Sequence, residues 1–423
     1  MNSMETNQAY DVVIIGGGPA GATTAAILAQ HGRKVLVIEK DYFPRYHVGE
    51  SLMPYCWFTL NRLGLIEKLN ESAFPKKHSV QFVTTQGKLS QPFYFSEHWD
   101  HPAATTWQVV RSDFDKMLLD RAIELGAEVR YGNKSKEICR DENDKVIGVK
   151  IENELGEIQF IKATFTVDAS GRDALSASRN HWRIKDPELG KISIYTYYKG
   201  AYRDPGLDEA ATTIAYLPEK GWFWYIPLPD DIVGVGVVAE KDYLFSDTRD
   251  KKEILEREAA KNPWIKNRID QGEQFGPIWA TGDFSYRSKY CADDGLVLVG
   301  DAFAFLDPVF SSGVYLAIKS GELAADTIHE AINKNNLSSE IFTQYGNELC
   351  KTIETMRALV YAFYQKDFSM KDVVTKFPHI KNDLVDCLLG DLSRDYTKLL
   401  TAVGEFANLP EHLHHGKPKI TRE

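Results

Sequence analysis

The chain has 423 residues, of which 43% are hydrophobic and 26% are charged. This composition is typical of a globular protein, and the length is sufficient for two or three layers of secondary structure around a large core. The formal net charge of -10 argues against nucleic acid or an anionic membrane surface as a partner, because both bind clustered basic charge. Five cysteines are scattered without CxxC spacing, so neither a metal site nor a disulfide framework is predicted.

The start of the chain does not resemble a targeting segment. MNSMETNQAYD is acidic, whereas a secretory signal begins with basic residues. The uncharged run from Val12 to Gln30 is long enough to imitate a membrane span, but it contains GGGPAG, and a span would not normally open with three glycines and a proline. These features predict a cytoplasmic protein without a membrane anchor.

Residues Tyr10 to Lys40 have the pattern strand, glycine-rich turn, helix and second strand. VVII and KVLVIE are typical of buried strands, ATTAAILAQH favours a helix, and Gly32 stands where that helix should end. Glycines at the turn let the backbone approach a pyrophosphate at the helix N-terminus, and Glu39 can accept hydrogen bonds from an adenosine ribose. The unit therefore predicts an FAD or NAD site. Its candidate binding residues are Gly16, Gly18, Ala20, Gly21, Glu39 and Lys40.

Two distant segments favour FAD over NAD. TFTVDASG contains a hydrophobic strand that ends at Asp168, and GLVLVGD contains another that ends at Gly300 and Asp301. An apolar loop and a helix over 313–325 follow. This arrangement resembles the second FAD-contacting segment of the p-hydroxybenzoate-hydroxylase type of flavoprotein. The resemblance implies that Asp301 binds the ribityl chain, and a simple helix N-cap is the alternative.

Arg111 and the absence of a second nucleotide motif bear on how FAD is used. Arg111, in WQVVRSDFD, matches an arginine that contacts the cofactor in the same group of flavoproteins, and a surface arginine before a helix is the alternative. No second GxGxxG is present for NAD(P)H. We therefore expect a separate flavin reductase to supply reduced FAD.

The predicted fold class is α/β, of the FAD/NAD(P)-binding Rossmann-like type, with a substrate-side β-sheet and a helical C-terminal region. We expect a discontinuous FAD-binding domain over 8–75, 105–180 and 280–335. KISIYTYYKG, TTIAYLP and IVGVGVV alternate or run apolar between Pro, Asp and Gly, which predicts the substrate-side sheet over 76–104 and 181–279.

The C-terminal region, 336–423, is predicted to be helical and to end in a polar tail. That tail, EHLHHGKPKITRE, contains His412, His414 and His415. No carboxylate or cysteine completes a ligand set for these histidines. We therefore expect a solvated tail and not a metal site.

A longer motif, FPRYHVGESLMP at residues 43–54, accompanies GGGPAG. Together they resemble the flavin-dependent halogenases, a branch of the flavin monooxygenase fold, over nearly the whole chain. Some geranylgeranyl-reductase-like relatives carry a similar segment. The resemblance implies that Arg45 lies at the cofactor and that Glu50 and Ser51 lie near the isoalloxazine, with a role in a helix cap as the alternative for the last two.

The stretch GWFWYIPLP at 221–229 is more specific, because it matches the WxWxIP signature of flavin-dependent halogenases. In that family the signature lies beside the channel between flavin and substrate. The resemblance implies that Trp222 and Trp224 are walls of this channel, and that their bulk discourages ordinary monooxygenation.

A second specific motif, FLDPVFSSG at 305–313, fits the family pattern FxxPxxSxG. The resemblance implies that the loop from Pro308 lies beside the flavin and that the backbone N–H groups of Ser312 and Gly313 bind the halide. Amide donors at the start of a helix suit a chloride ion, which needs several weak donors and the positive end of a helix dipole.

A third specific feature is a lysine in AFPKKHSVQF. In the family an essential lysine follows a phenylalanine at F-x-x-K spacing, which Phe74 and Lys77 reproduce, and Lys76 is the alternative register. Reduced FAD and oxygen convert bound halide to hypohalous acid, a mobile and unselective reagent. Lys77 would direct it to one carbon of the substrate, either as an ammonium donor or as an amine that forms an N-halo species.

One departure from the family narrows the substrate. Tryptophan halogenases carry a glutamate where this chain has Phe310, which argues against free tryptophan. An electron-rich phenol or pyrrole, free or bound to a carrier protein, is the expected substrate class. The acidic net charge does not favour docking to a carrier, which is itself usually acidic, so we lean towards a free phenol. An aromatic hydroxylase and a geranylgeranyl-type reductase are the alternative functions.

Overall fold

In a computed structural model, which describes residues 9–218, 221–282, 285–391 and 394–420, strands and helices alternate over the first half of the chain and helices dominate its end. The strands are β1 (Tyr10–Ile15), β2 (Val35–Ile38), β3 (Lys76–Lys77), β4 (Ser79–Val83), β5 (Phe93–Tyr94), β6 (Thr106–Trp107), β7 (Glu128–Arg130), β8 (Lys134–Arg140), β9 (Val146–Glu152), β10 (Ile158–Asp168), β11 (Arg183–Lys185), β12 (Lys191–Lys199), β13 (Thr212–Leu217), β14 (Gly221–Leu228), β15 (Ile232–Glu240), β16 (Glu273–Thr281), β17 (Tyr286–Ser288), β18 (Ala292–Asp293), β19 (Leu296–Leu298) and β20 (Ala304–Phe305). The helices are α1 (Pro19–Gln30), α2 (Cys56–Arg62), α3 (Ile66–Glu71), α4 (Arg111–Glu124), α5 (Leu175–Arg179), α6 (Lys241–Leu244), α7 (Lys251–Ala259), α8 (Pro263–Ile269), α9 (Ser312–Asn333), α10 (Thr343–Phe363), α11 (Met370–Lys376), α12 (Lys381–Leu389) and α13 (Thr397–Gly404).

The glycine-rich unit forms the centre of the first sheet. This sheet has eight strands: six lie in the order β18-β19-β10-β1-β2-β7, while β9 pairs with β10 and β8 pairs with β9. Strand β1 runs parallel to both β10 and β2. Helix α1 packs against α4 and α9, and every residue from Pro19 to Ala29 is buried. The uncharged run from Val12 to Gln30 therefore forms most of strand β1 and the whole of the buried helix α1. Among the described residues, no helix is long and apolar enough to cross a membrane.

The second sheet is antiparallel apart from one strand pair. Its order is β16-β12-β15-β14-β13-β4-β5, and β13 and β4 run parallel. The aromatic stretch of 221–229 forms β14, in which Trp222 pairs with Val238 and Trp224 pairs with Gly236 of β15. The predicted fold class, two kinds of sheet with a helical C-terminal region, is confirmed, whereas the domain boundaries stay a prediction.

The C-terminal tail is a correction to the sequence analysis. We expected it to be solvated, but its backbone packs along the first sheet and α10. Arg287 donates to the carbonyl of Leu413 at 2.6 Å, and the N–H of Leu413 donates to Glu354 at 3.1 Å. Further on, the N–H of Lys419 donates to the carbonyl of Ala292 at 2.8 Å. The buried side chains of Arg287 on β17 and Glu354 on α10 take partners from the tail, which composition alone does not reveal.

Candidate active site

A cavity of about 1020 Å³ opens where the two sheets meet. One end is lined by the glycine-rich turn and the carboxyl end of β2, and the other by β12 and β14 of the antiparallel sheet. The segment over 45–51 and the start of α9 complete its walls. A crevice at the carboxyl ends of parallel strands is where this type of sheet binds nucleotides.

The glycine turn has the shape that a pyrophosphate requires. A Cβ at Gly16, whose φ is 102°, would lie 2.4 Å from the carbonyl oxygen of Ala169, and one at Gly21 would lie 2.0 Å from the carbonyl oxygen of Gly16. Only glycine allows this close path, which leaves the N-terminus of α1 open to the cavity. Glu39 also lines the cavity, where it accepts the N–H of Gly17 at 2.7 Å. These residues fit the adenosine end of FAD.

Arginines and a carboxylate line the next part of the cavity. Arg111 is buried and donates to both oxygens of Asp115 at 2.8 and 3.0 Å, and Arg45 contacts the same carboxylate at 3.4 Å. Burial raises the pKa of the Asp301 carboxyl to about 6, although the guanidiniums of Arg172 and Arg111 oppose this shift. The donor set suits the phosphates and hydroxyls of FAD.

Of the other residues predicted to bind the nucleotide, some line the cavity and one does not. Lys40 lines it and forms an exposed ion pair with Asp173 at 2.7 Å. Pro308 and Ala20 also line it. Gly300 does not line the cavity. Its N–H donates to Ser320 Oγ of α9 at 2.8 Å.

The GES motif contributes two buried polar residues to the cavity wall. Burial raises the pKa of the Glu50 carboxyl above its usual range, although the Tyr197 hydroxyl donates to it at 2.7 Å. Tyr46, whose hydroxyl lies 3.2 Å from that of Tyr197, stacks on Trp279 with ring centres 4.6 Å apart. Neither Glu50 nor Ser51 caps a helix, because the next helix, α2, has Tyr55 at its N-cap and Ser51 forms an isolated β-bridge with Gln108.

Lys77 lies directly behind the cavity wall. Its Nζ donates to Ser51 Oγ at 2.9 Å and to the carbonyl of Leu52 at 3.3 Å, and it sits 5.6 Å from the centre of the Phe95 ring. Within the described part of the chain, no carboxylate lies within ion-pair distance of this nitrogen. Burial lowers the pKa of Lys77 to about 7. Lys76, the alternative register, is exposed.

The loop before α9 carries the candidate halide site. Ser311 adopts a left-handed conformation with φ of 56°, after which α9 begins at Ser312. The first N–H groups of a helix have no acceptor within it, and Gly313 lines the cavity. Ser312 Oγ is buried and has no hydrogen-bond partner among the described residues. Amide donors at the start of a helix fit a bound anion, and of the two predicted halide residues Gly313 lines the cavity whereas Ser312 does not.

The two tryptophans line the cavity, and Phe310 does not. Trp222 and Trp224 both contact the cavity from β14, with ring centres 6.1 Å apart. The ring of Phe310 packs edge-on against Phe363 of α10, 6.1 Å away. Trp222 and Trp224 therefore form part of the cavity wall, whereas Phe310 faces the helical region.

Comparison with known proteins assigns the family. The family model for tryptophan halogenases matches residues 11–101 and 83–372. The chain belongs to the tryptophan halogenase family. The halogenase is 36% identical over 342 residues to the 1H-pyrrole-2-carbonyl-(peptidyl-carrier protein) brominase of Pseudoalteromonas luteoviolacea, a match that covers 80% of this chain and 82% of the relative. It is 31% identical over 435 residues to the corresponding chlorinase of Pseudomonas fluorescens, with 96% of each covered.

A solved structure gives the same result. The flavin-dependent brominase Bmp2 is 29% identical and superimposes with a TM-score of 0.85 over 94% of this chain and 97% of its own. The protein is thus a flavin-dependent halogenase that uses FAD and a halide, and the hydroxylase and reductase alternatives are not favoured.

Sequence reasoning missed two polar residues of the halogenase site. Thr212 Oγ1 lies 2.7 Å from Ser51 Oγ and accepts from the side-chain amide of Gln108 at 2.9 Å. Thr212 and Ser51 line the cavity. The segments over 50–52 and 76–77 both pair with the segment over 106–109, which contains β6, and this brings Lys77 and Ser51 together. No motif marks Thr212 or Gln108, because their role depends on pairing between distant segments.

Proposed function

We propose that the halogenase oxidises chloride or bromide beside FAD and that Lys77 directs the resulting hypohalous acid to one carbon of an electron-rich aromatic ring. The observation that carries this proposal is the position of Lys77. It is buried, it contacts Ser51 on the cavity wall, and no carboxylate of the described residues holds it in an ion pair. A buried lysine without such a partner costs stability, so a chemical role accounts for it.

The pKa of Lys77, which burial lowers to about 7, makes both charge states accessible at neutral pH. As an ammonium, Lys77 donates a hydrogen bond that polarises the O–halogen bond. As an amine, it displaces hydroxide from hypohalous acid, which yields an N-halo amine and water after proton transfer. Either form would hold the halogen at one place next to the ring.

Two relatives and one residue support the proposed substrate class. By their names, two relatives act on a pyrrole-2-carbonyl group bound to a peptidyl carrier protein. Phe310 stands where tryptophan halogenases have a glutamate, so the ring itself must supply electron density. We therefore favour a carrier-bound pyrrole over the free phenol, and a separate flavin reductase as the source of reduced FAD.

The test is a reconstituted reaction with FAD, a flavin reductase, NADH, oxygen and bromide. Lys77→Ala should lower the rate of aryl bromide formation at least a thousandfold while flavin oxidation continues. Lys76→Ala is the matched control, because the adjacent lysine is exposed and should be replaceable. Mass spectrometry of the products measures both outcomes.

The substrate panel contains a pyrrolyl group on a carrier protein, the same acyl group on free pantetheine, a phenol and tryptophan. We expect product with the carrier-bound pyrrole and none with tryptophan. Full activity of Lys77→Ala would refute the role of this lysine. A hydroxylated ring formed without any dependence on halide would refute halide oxidation at this site.

A further inference from the structure

Asp307, the residue before the proline of the halide loop, is tied to its surroundings on both sides. Its side chain is fully buried, and Oδ1 accepts the N–H of Val309 at 3.1 Å, which caps the turn Pro308–Phe310. Its own N–H donates to Ser285 Oγ at 3.0 Å. These bonds hold the turn immediately before Ser311, where the chain enters α9.

The other carboxylate oxygen ends a chain of hydrogen bonds that begins in the WxWxIP motif. Trp222 Nε1 lies 2.9 Å from the hydroxyl oxygen of Tyr364, which lies 2.9 Å from Asp307 Oδ2. An indole nitrogen only donates, so the Tyr364 oxygen accepts from Trp222 and its hydrogen is left for Asp307. The chain runs from β14, through the residue after α10, to the halide loop.

Burial disfavours the ionised form of Asp307, and its polar neighbours offset only part of that effect. Burial raises the pKa of the Asp307 carboxyl to about 6, and the Tyr364 hydroxyl, the Val309 N–H and Lys191 oppose this shift. Lys191 lies over the Tyr364 ring, 4.8 Å from its centre, and pairs with Glu240 at 3.1 Å. Above pH 6 the carboxylate form therefore accepts both hydrogen bonds.

We propose that Trp222, Tyr364 and Asp307 are positioning residues for the halide, and that Trp222 acts on halide binding through this chain besides forming a channel wall. The inference rests on the proposed halide site at Ser312 and Gly313. Loss of one bond frees the turn that precedes these amides, so their N–H groups are held less firmly in place. The glycine turn that faces the nucleotide is distant in sequence from these three residues and contributes nothing to their chain of hydrogen bonds.

The test is Tyr364→Phe, which removes the middle hydroxyl and keeps the ring. Formation of hypobromous acid is followed with a β-diketone trap, reduced FAD and oxygen, so that no aromatic substrate is needed. We expect KM for bromide to rise about tenfold, the effect of leaving a buried polar partner unpaired. The Kd for FAD should change by less than about twofold, since Tyr364 does not line the cavity.

Tyr361→Phe is the matched control. Tyr361 lies three residues earlier, on α10, and its hydroxyl donates to Asp186 instead of the halide loop. This variant also loses a tyrosine–aspartate bond, so a general effect of such a loss on α10 would appear in it. We expect its KM for bromide to equal that of the wild type.

Trp222→Phe and the double variant with Tyr364→Phe complete the experiment. If both residues act through one chain, the double variant raises the KM for bromide no more than the larger single effect. Unchanged KM values in both single variants, or effects that multiply, would overturn the proposal. If Tyr364→Phe does not fold, Trp222→Phe carries the test. A wild-type protein that forms no hypohalous acid contradicts the proposed function instead, so the two failures are distinct.

Discussion

At the scale of single residues, the site is defined by polar groups that lack their usual partners. Lys77 is buried beside the Ser51 hydroxyl and the Phe95 ring, and no described carboxylate neutralises it. Ser312 Oγ is buried without a partner among the described residues. Folding does not favour either arrangement, because burial of an ammonium without a neutralising charge, or of an unpaired hydroxyl, costs free energy. Both are therefore signs of a site that is completed by a ligand.

The charge of Lys77 predicts how stability depends on pH. Its pKa falls from 10.5 to about 7 on folding, so between these values the unfolded chain holds a proton that the native chain lacks. The contribution of Lys77 to the free energy of unfolding therefore rises with pH across that window and is most unfavourable below pH 7. Lys77→Met should stabilise the protein at pH 6, and the gain should shrink towards pH 10.

Chemical denaturation at pH 6 and pH 9.5 measures this difference. Lys76→Met is the control, because Lys76 is exposed and its replacement should leave stability nearly unchanged at both pH values. An equal gain from Lys77→Met at the two pH values would show that packing, and not charge, limits stability at this position.

At the scale of secondary structure elements, the pairing of β14 with β15 places the tryptophans. Trp224 lies opposite Gly236, and a Cβ there would be 2.2 Å from Cζ2 of the indole. The Trp224 ring thus occupies the space that a side chain at position 236 of β15 would fill. Trp222, two residues earlier, is held by its bond to Tyr364.

Gly236→Ala should therefore displace Trp224 from the cavity wall. We expect a loss of about 1 to 3 kcal/mol in the free energy of unfolding, from overpacking, and less product per flavin oxidised. Gly234→Ala is the control from the same strand, because its nearest neighbour, Tyr197 Cε1, would be 3.4 Å away. Denaturation curves and the ratio of product to NADH consumed measure both effects, and equal behaviour of the two variants would contradict this explanation.

At the scale of the whole molecule, the tail joins the C-terminal helices to the strands β17 and β18. Arg287 of β17 pairs with Glu354 of α10 at 2.8 Å and donates to the carbonyl of Leu413. Arg357 donates to the carbonyl of Glu411 at 2.6 Å. Two buried guanidiniums thus depend on backbone acceptors of a segment that is polar in sequence.

Removal of residues 411–423 should leave both arginines short of an acceptor. We expect the free energy of unfolding to fall by at least about 2 kcal/mol, the cost of unpaired buried charged donors. His414→Ala is the control, because this side chain is exposed and the backbone acceptors remain. Thermal denaturation distinguishes the two, and a truncated protein as stable as the wild type would restore the view of a solvated tail.

The sequence by itself determined the nucleotide unit, the use of FAD and the halogenase family. These features are encoded locally, in the spacing of Gly16 to Gly21, in Asp301 after its strand, and in short motifs such as WxWxIP. F-x-x-K spacing also singled out Lys77 from Lys76, and the structure places Lys77 as the buried one of the two.

Only the tertiary structure decided which residues meet. Lys77 and Ser51 come together because both segments pair with 106–109, and Trp222 reaches the halide loop only through Tyr364, 142 residues along the chain. The tail likewise became part of the core through Arg287. Contacts of this kind depend on strand pairing and helix packing across the whole chain, and a local pattern of residue types contains no record of them.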